Sequence, residues 1–380
     1  MLAYLDHHAT TPCATAVVEA MEPWWRERFA NPASRLHRPG LEAAAAVERA
    51  RGQVGQALGM GEEAVVFTSG ATEANNLALR GVVEAAREDG QRRCGLVTLA
   101  TEHRAVLDPL AALARQGAPL TVLPVGSDGL VDLDRLAEAL TPDTLLLSVM
   151  AANNEIGVVQ PLEAIADLCR RQGVLLHCDA AQAVGHIPLS MAELGVDLLT
   201  LSAHKFYGPK GVGALLLRPG LRVAPQQLGG GQERGLRAGT LPVPLIIGLA
   251  TALDLALADR EERARRLGGL RDQLWGRLQE LGGVERNGSA HHGLPHNLNV
   301  TLTGVEGNRL HQLLRRRLAV SSGSACAAGS PSHVLAALGR DRREAAATIR
   351  FGLGRDTGPE EVDAAVAAVA EALSTLRRPA

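Results

Sequence analysis

The sequence predicts an α/β protein in which a mostly parallel seven-stranded sheet forms a large domain, with a smaller α+β domain beside it. Two observations support this prediction. Short apolar runs alternate with helical stretches over about the first 220 residues. Most of these runs are continuously apolar rather than alternating, as in strands that are covered on both faces.

The seven apolar runs are the predicted strands of this sheet. They are Ala64–Phe67, Leu96–Ala100, Leu120–Val125, Leu145–Met150, Val174–Cys178, Leu198–Ser202 and Val212–Leu217. Helical patterns lie between several of them, over Glu73–Glu88, Asp132–Leu140 and Pro161–Gln172. This alternation is typical of a parallel sheet with helices on both sides.

The pattern changes after Pro244, where one long helical stretch rich in Ala, Leu and Arg is predicted to reach about Leu281. A last helix is indicated by apolar residues at helical spacing, namely Val362, Val366, Val369, Leu373 and Leu376. We therefore expect a large domain over residues 14–255 and a small domain that combines residues 1–13 with residues 256–380.

The composition excludes several classes of protein. The 380 residues are 46% apolar and 21% charged, which is ordinary for a globular protein and excludes a disordered chain. A net charge of −2 lacks the basic excess of nucleic-acid-binding proteins. No apolar run approaches the roughly 18 residues of a spanning helix, and no secretory signal is visible. We expect neither nucleic acid nor a membrane as a direct partner.

The cysteines and clustered histidines do not indicate a metal site. Five scattered cysteines include no Cys-x-x-Cys pair, so neither a zinc site nor a disulfide framework is predicted. His291, His292 and His296 lie in a loop rich in Gly, Pro and Asn, for which a solvated loop is the better interpretation. We expect a reduced, cytoplasmic protein without a bound metal.

Lysine usage singles out one short segment. Of 39 basic residues only two are lysine, Lys205 and Lys210, so the other 37 are arginine. Arginine supplies charge and hydrogen bonds, but it cannot lose a proton near neutral pH and become a nucleophilic amine. A retained lysine is therefore a candidate for imine chemistry, and chance is the alternative for either lysine alone.

Three strand ends carry residues suited to an anionic, aromatic cofactor. At the first, the segment from Thr68 to Thr72 runs straight into a helix, whose first amides and Thr72 hydroxyl suit a phosphate. Asp179 follows a second strand, and a third leads into Ser202-Ala-His-Lys205. Ligands of open α/β sheets bind at the carboxyl ends of strands. Helix capping explains Thr72 or Asp179 alone, whereas the ordered combination favours a cofactor site.

The ordered blocks along the chain resemble the cysteine desulfurases of the NifS/IscS type, a class V branch of the pyridoxal 5′-phosphate enzymes. The resemblance implies the aspartate-aminotransferase-like fold, known as fold type I. The matching blocks run nearly end to end: Tyr4–Pro12, Asn31–His37, Thr68–Glu73, Thr101–His103, Asn153–Gly157, Asp179–Gln182, Ser202–Lys205, Arg237–Thr240, Ser322–Cys326 and Ile349–Gly354.

The resemblance also implies a role for each matching residue. Lys205 would bind pyridoxal 5′-phosphate covalently, Asp179 would pair with its ring nitrogen, and Gln182 would hydrogen-bond its phenolate oxygen. His103 would stack on the ring and act as acid and base. The implied phosphate ligands are Ala71, Thr72, Ser202 and His204, with Thr240 contributed by the second subunit of a homodimer. Asn154 would lie beside cofactor and substrate, and Arg350 would bind the substrate carboxylate.

Cys326 decides which reaction is implied. It lies in a run of small residues, for which we expect an exposed, mobile loop with a thiol available for attack. L-Cysteine would become L-alanine while its sulfur moves to Cys326 as a persulfide. Sulfur acceptors would be iron–sulfur scaffold proteins or tRNA-thiolation proteins. Selenocysteine lyase, cystine lyase and class V aminotransferase remain alternatives on the same fold, as does a non-enzymatic sulfur-relay or scaffold protein.

One departure from the family pattern concerns the segment that follows Cys326. Only residues 327–330 separate it from Pro331, where the family usually has a couple of residues more. Two residues span up to roughly 7 Å when extended. We therefore expect alanine production to persist while transfer to bulky protein acceptors is slow or selective.

Overall fold

A seven-stranded sheet forms the centre of the chain, and the computed structural model describes residues 2–322 and 332–377. The twelve strands of the described residues are numbered along the chain. They are β1 Ala3–Tyr4, β2 Val65–Thr68, β3 Gly95–Leu99, β4 Leu120–Leu123, β5 Thr144–Met150, β6 Leu175–Asp179, β7 Leu198–Ser202, β8 Gly213–Leu217, β9 Val284–Arg286, β10 Asn297–Leu302, β11 Leu318–Ala319 and β12 Thr348–Gly352.

The same residues form fourteen α-helices. They are α1 Thr15–Met21, α2 Pro23–Arg26, α3 Arg38–Ala57, α4 Ala71–Glu88, α5 Arg104–Arg115, α6 Leu133–Ala139, α7 Leu162–Gln172, α8 Met191–Leu194, α9 Val243–Ala258, α10 Arg260–Gln279, α11 Gly307–Leu314, α12 His333–Ala337, α13 Arg342–Ala346 and α14 Pro359–Leu376. Short 3-10 turns include Ala203–Lys205, directly after β7.

The large sheet has the strand order β2-β8-β7-β6-β5-β3-β4. Only the pairs that β8 forms with β2 and β7 are antiparallel, and the other four pairs are parallel. Every residue of β5, β7 and β8 is buried, because helices cover both faces of the sheet. The predicted mostly parallel sheet of seven strands is thus confirmed, with strand ends within two residues of those expected.

The predicted long helix after Pro244 is divided into two helices. α9 ends at Ala258 and α10 begins at Arg260, because the backbone of Asp259 leaves the helical conformation at φ −113° and ψ 11°. The two helices also differ in character, since α9 is largely apolar and α10 is rich in Arg and Glu.

Separate apolar cores lie on the two faces of the large sheet and beyond it. One face packs Phe67 and Leu201 against α3 and α9, and the other packs Val66 and Leu198 against α4 and α5. A further core joins Leu5 to β10, β12 and α14. This third core supports the proposed small domain, in which the N-terminal residues pack with the C-terminal part of the chain.

The proposed small domain includes two short sheets, β1-β11 and β12-β10-β9. A bridge between Asp6 and Gly352 joins residues 2–13, which we call the N-terminal segment, to β12. This contact brings the residues after Asp6 to the edge of the large sheet.

Within residues 2–322 and 332–377, no helix combines the length and the apolar character needed to cross a lipid bilayer.

Candidate active site

Residues at the carboxyl ends of β2, β3, β5, β6 and β7 meet β12 and the N-terminal segment around one cavity of about 520 Å³, which we call the pocket. This is the edge at which ligands of open α/β sheets bind. Its lining residues include His8, Thr10, Ala71, Thr72, His103, Asn154, Asp179, Gln182, Ser202, His204, Lys205, Lys210 and Arg350.

Both lysines of the chain lie at the pocket, but they differ in their surroundings. Lys205 is half-buried in the 3-10 turn after β7, and its Nζ donates to the carbonyl oxygens of His8 at 2.6 Å and Ala9 at 2.9 Å. Lys210 is exposed at the pocket rim. The Lys205 amine is therefore held at a defined position inside the pocket.

Asp179 ends β6 and is 5% exposed. Its Oδ2 accepts a hydrogen bond of 2.7 Å from the side-chain amide of Asn75, and its Oδ1 accepts one of 3.0 Å from the backbone N–H of Ala181. Two donors thus fix a carboxylate beside the pocket, where it suits a protonated ring nitrogen.

The start of α4 forms an anion-binding cradle. Gly70 precedes the helix at φ +151°, and a Cβ on Gly213 would lie 2.7 Å from the Gly70 Cα, so the bare backbone of Gly213 permits this approach. Among the described residues, no hydrogen bond occupies the backbone amides of Ala71 and Thr72. These amides face the pocket together with Ser202 and His204, the set that a phosphate needs.

Two of the three histidines that line the pocket, His103 and His204, are neutral near neutral pH. Burial lowers the pKa of His103, whose Nδ1 accepts a 3.1 Å hydrogen bond from the Ala105 amide, so its proton resides on Nε2. Burial, helped by the nearby charges of Lys205 and Lys210, lowers the pKa of His204 to about 4. His103 therefore presents an Nε2–H donor, since its Nδ1 is occupied by the Ala105 amide.

Arg350 lies on β12 and is 1% exposed. One terminal nitrogen donates to the backbone oxygen of Asn154 at 2.8 Å, and the other donates to Asp6 Oδ1 at 2.7 Å. Among the described residues, its Nε has no hydrogen-bond partner. The guanidinium is thus fixed at the pocket with donors left for an incoming carboxylate.

Two predicted site residues do not line the pocket in the described part of this chain. Thr240 is exposed and lies away from it. Cys326 lies outside the described residues, but both flanks of its segment are placed. Ser321 accepts a 2.7 Å hydrogen bond from the Arg350 amide, and His333 Nε2 donates to the backbone oxygen of Glu102 at 2.9 Å. The described residues on either side of the segment are thus hydrogen-bonded to Arg350 and to Glu102, the residue that precedes His103.

Sequence reasoning missed some residues of the site and misjudged one histidine. His8 and Thr10 line the pocket, and Glu102 is fully buried beside His103. His8 and Thr10 could have been found from the sequence, because both lie in Tyr4–Pro12, one of the blocks that match the family. His296, expected in a solvated loop, is 3% exposed, because its ring stacks on His8 and His186. His291 and His292 are exposed as expected.

The donor set fits pyridoxal 5′-phosphate. The helix start of α4 offers two amides that no described residue occupies, which suits a phosphate. Asp179 offers a buried carboxylate for a ring nitrogen, and Lys205 offers an amine for the aldehyde. No group of three or more His, Cys, Asp or Glu side chains in the described part of the chain has a geometry that suits a metal ion.

Comparison with known proteins agrees with this geometry. The sequence profile of the class-V aminotransferase family matches residues 3–365. The chain is 46% identical to the cysteine desulfurase IscS of Photorhabdus laumondii over 380 residues, which is 98% of this chain and 93% of that protein. It is 44% identical to the cysteine desulfurase IscS of Rickettsia bellii over 379 residues, 98% of this chain and 92% of that protein.

Solved structures show the same fold. A NifS-like protein superimposes with a TM-score of 0.93 at 38% identity, covering 99% of this chain and all of that one. A structure described as SspA in complex with cysteine gives a TM-score of 0.81 at 35% identity, covering 92% of this chain and 98% of that one.

Proposed function

The chain belongs to the class-V aminotransferase family and, within it, to the cysteine desulfurases, and we propose that it uses pyridoxal 5′-phosphate to convert L-cysteine to L-alanine while Cys326 takes the sulfur. The observation that carries this proposal is the pocket itself. It gathers Lys205, Asp179, His103 and Arg350, and the described flanks of the Cys326 segment are hydrogen-bonded to Arg350 and to Glu102.

Each end of the cofactor has residues suited to hold it. The amides of Ala71 and Thr72 with Ser202 and His204 would bind the phosphate, Asp179 would hold the ring nitrogen, and Gln182 would face the phenolate oxygen. Lys205 would attach it to the chain, and His103 would stack on its ring. The bound cofactor supplies an electron sink for the α-carbon of the substrate.

Arg350 and Lys205 orient the substrate and move its α-proton. The remaining N–H groups of Arg350 bind the carboxylate of L-cysteine, with Asn154 beside it. The uncharged Lys205 Nζ then accepts the α-proton and holds it for return to the product. The carbonyl oxygens of His8 and Ala9 lie 2.6 and 2.9 Å from this nitrogen, so they stabilise the protonated form of Lys205 by accepting hydrogen bonds.

Sulfur transfer is assigned to Cys326 and His103. The thiolate of Cys326 attacks the substrate sulfur, the carbon–sulfur bond breaks, and a sulfur–sulfur bond forms. The proton that the Cys326 thiol releases on forming the thiolate passes through His103 to the product side, so the ring is neutral before and after the step. L-Cysteine and a thiol thus yield L-alanine and a persulfide without an external oxidant.

A homodimer would complete the phosphate site through Thr240 of the second subunit. Large apolar side chains are exposed on the part of the surface that includes residues 25–41 and 228–241, namely Trp25 at 56%, Phe29 at 77%, Leu36 at 100%, Leu41 at 52% and Leu228 at 82%. A second cavity brings Asn31 and Arg35 together with Gln232 and Leu241, so these segments adjoin. An apolar surface of this kind supports a protein interface.

The acceptors of the persulfide sulfur are proposed to be iron–sulfur scaffold or tRNA-thiolation proteins. A persulfide that must react with further thiols suits a reducing compartment, and we place the enzyme in the cytoplasm on that basis.

The deciding experiment measures sulfide and alanine together after incubation with L-cysteine and a reductant. We expect equal amounts of sulfide and alanine from the parent protein. Cys326→Ser should lose this activity, and Lys210→Arg should keep it. A keto acid in place of alanine would instead favour an aminotransferase, and activity with selenocysteine or cystine alone would favour the lyases.

A further inference from the structure

Three buried histidines form a stack that begins at the pocket. The rings of His8 and His296 lie 4.5 Å apart with an interplanar angle of 27°, and those of His296 and His186 lie 4.1 Å apart at 22°. Their residues are 1%, 3% and 7% exposed for His8, His296 and His186 respectively. Gly352 leaves room for this arrangement, since a Cβ there would lie 2.7 Å from the His8 ring.

His8 holds both polar atoms of the Gln182 side chain. Gln182 Nε2 donates to the His8 carbonyl oxygen at 3.0 Å, and Gln182 Oε1 lies 3.1 Å from His8 Nδ1. The His8 carbonyl oxygen can only accept a hydrogen bond, so the nitrogen of the Gln182 amide must face it. The amide oxygen of Gln182 then faces the His8 ring. Because an amide oxygen only accepts, His8 Nδ1 carries the proton.

The far end of the stack is fixed as well. His186 Nε2 donates to the carbonyl oxygen of Lys205 at 3.0 Å. Burial lowers the pKa of all three rings, to about 4 for His186, so the stack carries no charge near neutral pH. The plane of the His8 ring is therefore set by neutral neighbours, of which His186 is hydrogen-bonded to the backbone of Lys205.

We propose that His8 is a positioning residue, which clamps Gln182 so that the second N–H of its amide points to the phenolate oxygen of the cofactor, with His296 and His186 fixing the His8 ring. This inference rests on the proposed function, because it concerns the cofactor of that reaction. His8 acts through Gln182, and its own ring makes no bond to the substrate.

The test compares variants that separate the N–H group from the ring. Asn places its side-chain nitrogen as many bonds from the backbone as His8 Nδ1, whereas Phe keeps a ring without a donor. We expect His8→Asn to bind pyridoxal 5′-phosphate within twofold of the parent. His8→Phe should raise the Kd roughly three- to tenfold, the worth of one neutral hydrogen bond, and shift the visible absorbance of the bound cofactor. His8→Ala, which adds no volume, is measured in parallel and should match His8→Phe.

Two further measurements sharpen the result. In a Gln182→Ala background, His8→Phe should add no further loss, because the two residues act as one unit. His311→Phe is the matched control, since His311 Nε2 donates to the Thr348 carbonyl outside the pocket, and it should bind like the parent.

A purely packing role for His8 predicts the reverse order, with Phe tolerated and Asn harmful, and that order would overturn the proposal. Additive losses in the double variant, or an unchanged Kd in Gln182→Ala, would overturn it too. Cofactor binding needs neither L-cysteine nor Cys326, so failure of the desulfurase proposal is recognised separately by the product assay.

Discussion

Asp6 and Arg350 form an ion pair of 2.7 Å that joins the N-terminal segment to β12, with the Arg350 side chain 2% exposed and that of Asp6 19% exposed. The pair fixes the arginine proposed to bind the substrate carboxylate. It also leaves a buried guanidinium dependent on a residue that lies 344 positions away in the chain.

Removal of Asp6 should therefore destabilise the protein. Asp6→Ala leaves the buried Arg350 charge unpaired, and we expect the free energy of unfolding to fall by about 3 kcal/mol in urea denaturation. Glu371→Ala, which breaks the exposed pair with Arg317, is the matched control and should cost less than about 1 kcal/mol. Similar small losses in both variants would contradict a structural role for the Asp6 pair.

The two lysines should differ in cofactor attachment. Lys205→Ala should lose the visible absorbance of covalently bound pyridoxal phosphate, whereas Lys210→Arg should keep it, since only Lys205 is held inside the pocket. Absorbance spectra of the purified variants decide this, and the opposite pattern would reverse the assignment.

Cys326→Ser should retain cofactor binding yet release no sulfide from L-cysteine, because a serine hydroxyl is a poor nucleophile toward divalent sulfur. Sulfide release and the spectral response to L-cysteine are measured on the same preparation. Desulfuration by this variant at the parental rate would exclude the persulfide route and favour a lyase.

Stability should fall as the pH drops from about 6.5 toward 4. Burial lowers the pKa of His177 from 6.5 to about 4, so the unfolded chain takes up a proton in this range while the folded chain does not. Compared with the parent, His177→Gln should lose this part of the pH dependence, about 2 kcal/mol between pH 7.5 and pH 5. Urea denaturation at the two pH values measures it, and parallel pH profiles would refute the assignment.

The short segment after Cys326 gives a last prediction. Inserting two residues after Gly329 should raise transfer of labelled sulfur to protein acceptors relative to small thiols, since two residues add up to roughly 7 Å of reach. Transfer from radiolabelled L-cysteine is followed for both acceptor types. An unchanged ratio would show that reach does not limit transfer.

The sequence alone determined the large sheet, because most of its strands are buried on both faces and are therefore continuous apolar runs bounded by helices. It also determined which strand ends carry chemistry, since Thr72, Asp179 and Lys205 each lie within five residues of the end of such a run. Local spacing decides both features, so they are visible without knowledge of the fold.

Only the tertiary structure decided what surrounds those residues. His8 contacts Gln182, which is 174 residues away, and Asp6 contacts Arg350, which is 344 residues away. His296 likewise stacks on His8 and His186, which belong to other parts of the chain. Such contacts depend on how the N-terminal segment and β12 pack against the large sheet. Side-chain burial and hydrogen-bond direction follow from that packing, and no local pattern encodes them.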